Sequence, residues 1–455
     1  MQMYHDFNQL IDTWKSNQGT ALIYGSGRKA LSYAELARMI RAEQEDVKKS
    51  GIRSELIVTD HEAATLIRIF ADVLAGCDVV LVDENTPDEM LFLLAEMAGT
   101  ESIHAVDPEL REELSAYAVR GKKEVLTENC EKEGRLLFFT SGTTSSSKAV
   151  VLTSESLLTS SWSGQCMLPC GPGDIILSLL PLSHVFGFVC TMLWGLTYGA
   201  AVALGRGTRF LLEDCAFFQP TILPVVPSLA KMLMSRGCLG NSLKVALIGA
   251  APLDEIAVKE LQQAGIKVYL GYGLTETSSG LAITQDQKDP YALYPCPGAD
   301  ICIEADGEVS VKTPCMMKGY LDLTSGKLVP MTDERLYTGD LGTLDEKGAL
   351  HLKGRKKDML VLPDGTKIFC PEYEEALSSL LGTDDVAVIL KEGRPAVILG
   401  GKQDDRLDAV WEIVRQYNEK LTRSVRICDV LFFGRPLPRT ATGKIRRWEI
   451  DGGIQ

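Results

Sequence analysis

Short apolar runs alternate with stretches of helical periodicity through most of the first 300 residues, the pattern of α/β units built on parallel sheets. Leu56-Ile57-Val58 and Val79-Val80-Leu81-Val82 read as strands flanking a helix near residues 63–75. A clearer unit covers residues 243–273. There the strand Val245-Ala246-Leu247-Ile248 runs into the turn Gly249-Ala250-Ala251-Pro252, and a helix capped by Asp254 follows, with Ile256, Ala257, Leu261 and Ala264 on one face. Gly265 stops the helix, and Ile266-Lys267-Val268-Tyr269-Leu270 forms the next strand. In such sheets ligands sit beyond the carboxyl ends of the strands, where Gly249-Ala250-Ala251 and Gly271-Tyr272-Gly273 are both expected.

After Pro297 the texture changes to short strands with Asp-Gly and Lys-Gly turns, as at Asp306-Gly307 and Lys347-Gly348, which predicts a small β subdomain. The charged run Gly354-Arg355-Lys356-Lys357-Asp358 precedes a helix near residues 371–381 and reads as a hinge between a large and a small domain. A chain of 455 residues is too long for one core, so two or three domains are expected.

The most informative polar stretch is Ser141-Gly142-Thr143-Thr144-Ser145-Ser146-Ser147-Lys148, directly after the buried-strand pattern Leu136-Leu137-Phe138-Phe139. Backbone N–H groups in such a turn form an anion nest, the hydroxyls add neutral donors, and Lys148 supplies a point charge for phosphate oxygens. The spacing is not that of a Walker A loop, because the apolar run of residues 149–152 follows the lysine, and a P-loop kinase or ATPase is disfavoured. Read alone, the loop is equally a solvated linker.

Charge narrows the partners. With 47 basic and 61 acidic residues the net charge is −14, which repels nucleic acid and anionic membrane surfaces. Residues 175–205 contain no Asp, Glu, Lys or Arg and are long enough to cross a bilayer, but Pro181, His184, Gly187, Gly195 and Gly199 interrupt them. A buried helix lining an apolar pocket is the expectation, with no stable membrane span. The 12 cysteines lack CxxC pairs, which fits reduced thiols rather than zinc or disulfides, and no signal peptide is visible, so the expected location is cytoplasmic.

Several motifs fall in a fixed order: Phe139-Thr140-Ser141-Gly142-Thr143-Thr144, Leu180-Pro181-Leu182-Ser183-His184, Gly271-Tyr272-Gly273-Leu274-Thr275-Glu276, Tyr337-Thr338-Gly339-Asp340, the hinge run, and Thr440-Ala441-Thr442-Gly443-Lys444. Together they resemble the adenylate-forming superfamily of acyl-CoA synthetases, peptide-synthetase adenylation domains and luciferases, over nearly the whole chain. The resemblance implies an α/β fold: a large N-terminal domain (1–356) of α/β subdomains plus a small β subdomain, then a small mobile α+β C-terminal domain (357–455). It implies that a carboxylate attacks the α-phosphate of ATP, that pyrophosphate leaves, and that a thiol then takes the acyl group, with Mg2+ as metal and CoA as co-substrate.

By the same resemblance, Thr140, Ser141, Gly142, Thr143, Thr144 and Lys148 hold the β- and γ-phosphates. Glu276 is the magnesium ligand, a hard oxygen suited to that ion, and Thr275 contacts the α-phosphate. Tyr272 and Gly273 flank the adenine, with the tyrosine ring against the base, and the backbone of Gly249, Ala250 and Ala251 edges it. Asp340 accepts from the ribose hydroxyls and Arg355 donates to ribose or phosphate. Lys444 bridges the attacking carboxylate and the α-phosphate, where charge develops. Lys357 is the pivot of the domain swing, and Gly365 lies where pantetheine approaches.

The chain departs from the family in being shorter, in having Thr153-Ser154 where a Thr-His pair is common, and in a lengthened Gly365-Thr366-Lys367-Ile368-Phe369-Cys370-Pro371. The acid pocket is expected from His184, Val185, Phe186 and Gly187, an apolar segment apart from the histidine, which favours a fatty or other apolar acyl group over an amino acid. Two other acceptors or acids stay open: a separate carrier protein in place of CoA, and an aryl acid of the succinylbenzoate kind. A different class, a non-catalytic nucleotide-binding regulatory protein, is countered by the joint presence of Glu276, Asp340, Arg355 and Lys444. Chain length of the acid, oligomeric state and pathway are not readable from the sequence.

Overall fold

The computed structural model describes residues 2–25, 27–105, 133–139, 148–237, 240, 242–322, 325–402, 407–439, 445 and 447–451. Two large sheets organise the N-terminal part. The first has 13 strands. Six of them run parallel, in the order Thr20–Tyr24, Ala201–Leu204, Ile175–Ser178, Ile222–Val225, Val245–Ile248 and Lys267–Leu274. From Lys267–Leu274 onward the pairing becomes antiparallel, through Ser279–Thr284, Leu293–Pro295, Leu350–Arg355, Leu336–Leu344, Glu308–Lys312 and Asp300–Ile303. This antiparallel end is the expected β subdomain, joined to the α/β part by one shared strand.

The second sheet has seven strands and is parallel across Ser102–His104, Ser54–Thr59, Asp78–Asp83 and Leu136–Phe139. It continues antiparallel through Ala149–Leu152, Gly319–Asp322 and Lys327–Pro330. One core cluster contains Leu22, Val202 and Leu204 of the first sheet with Ile57, Leu81, Phe138 and Val150 of the second, and Leu36, Phe70, Leu157 and Phe188 from the intervening helices. Burying helices between sheets removes both apolar faces from water at once. The helix Tyr33–Ser50 starts at a Ser32–Glu35 capping box and ends at Gly51, whose φ of 73° suits a left-handed cap.

A separate core, which includes Leu362, Ile368, Tyr373, Leu377, Val388, Val397, Val414 and Val430, lies in the C-terminal part. Its three strands Val386–Lys391, Arg394–Leu399 and Asp429–Phe432 pack with the helices Cys370–Leu381 and Leu407–Glu419. The α/β fold with a large N-terminal and a small C-terminal part is as expected.

Three local expectations change. Ile256 is 71 % exposed and Ala264 is also on the surface, so neither belongs to the buried face. The Asp254 cap, which accepts from the Ala257 N–H at 2.9 Å, sets the helix Glu255–Gln263 with Ala257, Val258 and Leu261 inward. Gly271-Tyr272-Gly273 lies within a strand rather than beyond one, because Lys267–Leu274 exchanges its parallel partner Val245–Ile248 for the antiparallel Ser279–Thr284 and so keeps its hydrogen bonds. The charge-free segment becomes the strands Ile175–Ser178 and Ala201–Leu204 around a π-helical stretch Gly187–Leu193 and the helix Trp194–Tyr198. Among the described residues no helix is long and apolar enough to cross a membrane.

Candidate active site

The strand Lys267–Leu274 carries the site's central residues. Tyr272 is buried, and its hydroxyl donates to Asp340 Oδ2 at 2.8 Å. Burial and the adjacent Asp340 charge push the phenol pKa up, so it remains a donor. Asp340 sits opposite Arg355 in register, and Arg355 Nε meets Asp340 Oδ1 at 2.8 Å while Nη1 donates to the Thr338 carbonyl at 3.1 Å. Asp340 N–H donates to Thr338 Oγ1 at 3.0 Å, and the Gly339 N–H to Glu308 Oε1 at 2.9 Å. Gly339 needs φ 71° for this turn, a conformation glycine adopts without a Cβ clash. Each carboxylate oxygen has two lone pairs, so Asp340 held by Tyr272 and Arg355 can still accept from a ribose diol. Arg355 thus acts on Asp340 itself, whereas its expected partner was the nucleotide alone.

Farther along the chain, the backbone leaves the strand at a bulge. The register shifts between Tyr272 and Gly273, and a Cβ on Gly273 would fall 1.4 Å from the Ser279 carbonyl oxygen. Where the chain turns back, Ser278 and Ser279 have φ of 52° and 99°, left-handed values that cost about 1–2 kcal/mol each for residues with a Cβ. The 3-10 turn Thr275–Thr277 between them leaves Thr275 and Glu276 half-buried. Glu276 Oε1 accepts from the Tyr320 hydroxyl at 2.9 Å, and the Glu276 carbonyl accepts from the Met317 N–H at 2.8 Å. Its Oε2 accepts no hydrogen bond among the described residues. One carboxylate with an open hard oxygen fits a magnesium ion that keeps most of its waters.

Lys148 enters the strand Ala149–Leu152, and its Nζ stands 4.7 Å from the centre of the Tyr320 ring. The phosphate-loop residues Thr140, Ser141, Gly142, Thr143 and Thr144 lie outside the described residues, as does Lys444. Tyr320 is the residue that sequence reasoning missed. Gly319-Tyr320 carries no local signal, and its role arises only when Gly319–Asp322 pairs with Ala149–Leu152, setting Tyr320 opposite Val150.

Gly249 ends the strand Val245–Ile248, and Ala250 turns at φ 68°. Ala250 and Ala251 are exposed, but Gly249 is buried, and what approaches it is the Phe186 ring: an added Cβ would lie 2.6 Å from Phe186 Cζ. The expected pocket segment divides. His184 is exposed and Phe186 half-buried, while Val185 packs in the inter-sheet core and Gly187 is buried with its missing Cβ 2.2 Å from the Pro181 carbonyl oxygen. Val185, two residues before the π-helical stretch, and Gly187, its first residue, are therefore packed inside the fold. Desolvation of the His184 ring lowers its pKa, against a weaker raising pull from Asp83. Beside Phe186, the Cys190 thiol and Ser279 hydroxyl lie 3.4 Å apart, and burial pushes the thiol up to about 11.

Lys356–Asp358, the run expected to be a hinge, forms a 3-10 turn, and Lys357 is exposed. Gly339, Arg355, Lys356 and Lys357 line one concavity. Lys356 is held by Asp306 at 2.6 Å and Glu308 at 2.7 Å. Gly365, at φ 82°, has open space where a Cβ would stand.

Similarity to known proteins agrees with this geometry. The family model for AMP-binding enzymes matches residues 14–321. A 2-succinylbenzoate–CoA ligase of Bacillus cytotoxicus is 28% identical over 342 residues, 70% of each chain. The 3-[(3aS,4S,7aS)-7a-methyl-1,5-dioxo-octahydro-1H-inden-4-yl]propanoyl:CoA ligase of Mycobacterium tuberculosis is 30% identical over 334 residues, 68% of this chain and 64% of that one. The solved structure of an o-succinylbenzoate CoA synthetase from Bacillus subtilis, in complex with its acyl-adenylate intermediate, superposes with a TM-score of 0.80 at 22% identity, covering 99% of this chain and 98% of the other. The chain belongs to the AMP-binding enzyme family, the ATP-dependent, AMP-forming ligases that join a carboxylic acid to a thiol.

Proposed function

We propose that the protein is an acid–CoA ligase whose acid carries a ring and a second polar group, of the 2-succinylbenzoate type. The observation that carries the ligase reading is the pairing, on one strand and its turn, of Tyr272 with Asp340 and of Glu276 with Tyr320. These are a hydroxyl-binding carboxylate and a metal-binding carboxylate, each held by a phenol. One carboxylate oxygen of the acid attacks the α-phosphorus, pyrophosphate leaves, and the CoA thiol then displaces AMP. In this reading Asp340 and Arg355 hold the ribose, Glu276 the magnesium ion, and Thr140 to Thr144 with Lys148 the pyrophosphate. Lys444 stabilises the charge developing at the α-phosphate. Lys357 is the pivot that withdraws Lys444 after the first step, within a mobile domain of residues 357–455.

The acid is argued from the relatives and the wall. Both ligases described above, each aligned over more than two-thirds of this chain, are named for ring-bearing acids rather than straight-chain ones. Phe186 against Gly249 gives a flat aromatic surface for a ring, and Cys190 with Ser279 gives a neutral polar pair. The fatty-acyl preference expected from the apolar segment gives way to this reading. The cytoplasm, where ATP and CoA are abundant, is the location it implies.

The test is pyrophosphate release with ATP and magnesium across 2-succinylbenzoate, benzoate and decanoate, with and without CoA, and with Lys444→Ala as control. We expect 2-succinylbenzoate to give the fastest release, a thioester only when CoA is present, and loss of release by about 100-fold in the variant. Faster turnover of decanoate would overturn the acid. Release without any CoA thioester would overturn the acceptor in favour of a carrier protein.

A further inference from the structure

Two groups of the adenylation centre that lie far apart in sequence, Lys148 and Glu276, touch the same side chain. The Tyr320 hydroxyl donates to Glu276 Oε1 at 2.9 Å, and the Tyr320 ring lies 4.7 Å below Lys148 Nζ. The strand Gly319–Asp322 places it there. Tyr320 pairs with Val150, two residues after Lys148, and the Met317 N–H, three residues before Tyr320, binds the Glu276 carbonyl at 2.8 Å. Gly319 permits this course, since its φ is 153° and an added Cβ would lie 2.1 Å from the Val329 carbonyl oxygen.

From this juxtaposition we infer that Tyr320 is a positioning residue of adenylation, orienting the Glu276 carboxylate for magnesium and keeping Lys148 beside it. The phenol occupies Oε1 and leaves Oε2 for the ion or its waters. The ring holds the ammonium by its π face without competing for its protons. A phenylalanine would pack between the sheets equally well, so the hydroxyl is the part that packing alone leaves unexplained. Among the described residues its partner is Glu276. The inference rests on Glu276 as metal ligand.

Manganese serves as the probe. Water-proton relaxation measures binding of Mn2+·ATP to the full chain, and calorimetry in EDTA measures metal-free ATP, for wild type, Tyr320→Phe, Tyr320→Leu and Glu276→Gln. Tyr320→Phe should weaken Mn2+·ATP binding about tenfold, the scale of one hydrogen bond to a charged group, with metal-free ATP unchanged within about twofold. Tyr320→Leu should weaken both, because Lys148 loses the contact with the ring. Wild-type Mn2+·ATP affinity in Tyr320→Phe, with Glu276→Gln impaired, would overturn the inference and leave the metal role of Glu276 standing. Equal loss of both ligands in Tyr320→Phe would mark Tyr320 as merely structural. Unimpaired Mn2+·ATP binding in Glu276→Gln would sink the metal role and the inference together.

Discussion

Asp340 was legible at the residue scale because its flanking Tyr-Thr-Gly marks it, but its partners were not. Tyr272 and Arg355 stand 68 and 15 positions away, and only strand pairing brings them to its two oxygens. Asp72 was not legible at all. On the helix Ala63–Ala75 it forms an i,i+4 pair with Arg68 that in sequence looks like an ordinary surface pair, yet it is fully buried, and Arg68 also binds Glu55 and Glu43. Burial and the Glu55 charge raise the Asp72 pKa, with Arg68 opposing, so the folded chain keeps a proton that the unfolded chain releases. That contribution is complete below an aspartate's ordinary value of about 4 and is lost as pH rises through the higher folded value. Asp72→Asn imitates the protonated form. Its stability should stay level from pH 7 to 10 while that of the wild type falls, a difference of about 1–3 kcal/mol at the alkaline end, read by thermal denaturation in a pH series. Parallel curves would show that Asp72 does not titrate there.

At the scale of elements, periodicity located the βαβ unit and its cap but misjudged a face by one position. Ile256 looks like a core residue until the cap fixes the helix's rotation. The glycine of Gly249-Ala250-Ala251 signalled a close approach correctly, while the approaching group came from an element some 60 residues earlier. Gly249→Ala would place a methyl 2.6 Å from Phe186 Cζ and displace the ring. The predicted result is a KM for the acid raised about tenfold, an ATP KM within about twofold of wild type, and recovery of the acid KM when Phe186→Leu is added. Equal changes in both KM values would place Phe186 away from the acid.

At the scale of the whole molecule, separate cores allow the C-terminal part to be stabilised on its own terms. Arg447, three residues after the proposed catalytic lysine, binds Asp358 at 2.7 Å and also Glu374, and it ties the last described helix to the turn Lys356–Asp358 and to Cys370–Leu381. Burial raises the Glu374 pKa, with Arg447 opposing. Arg447→Gln leaves two carboxylates without their cation, a loss of about 3 kcal/mol for a buried pair. Hydrogen exchange should then accelerate in residues 370–381 and 447–451 and remain unchanged in the inter-sheet core. Uniform acceleration across the chain would show one cooperative unit instead.

Chemistry carried by short contiguous stretches was determined by the sequence itself: the strands, the capped helix, and the order of motifs that marks an adenylate-forming ligase. Each depends on residues within a few positions of one another, where backbone geometry leaves little choice. Tertiary structure decided which groups face each other. Two sheets enclosing shared helices turn Val185 and Gly187 into the core, lay Phe186 on Gly249, set Arg355 on Asp340, and carry Tyr320 to Glu276 and Lys148. These contacts depend on strand order and register, which are fixed by burying apolar area from the whole chain, and no local pattern encodes that sum.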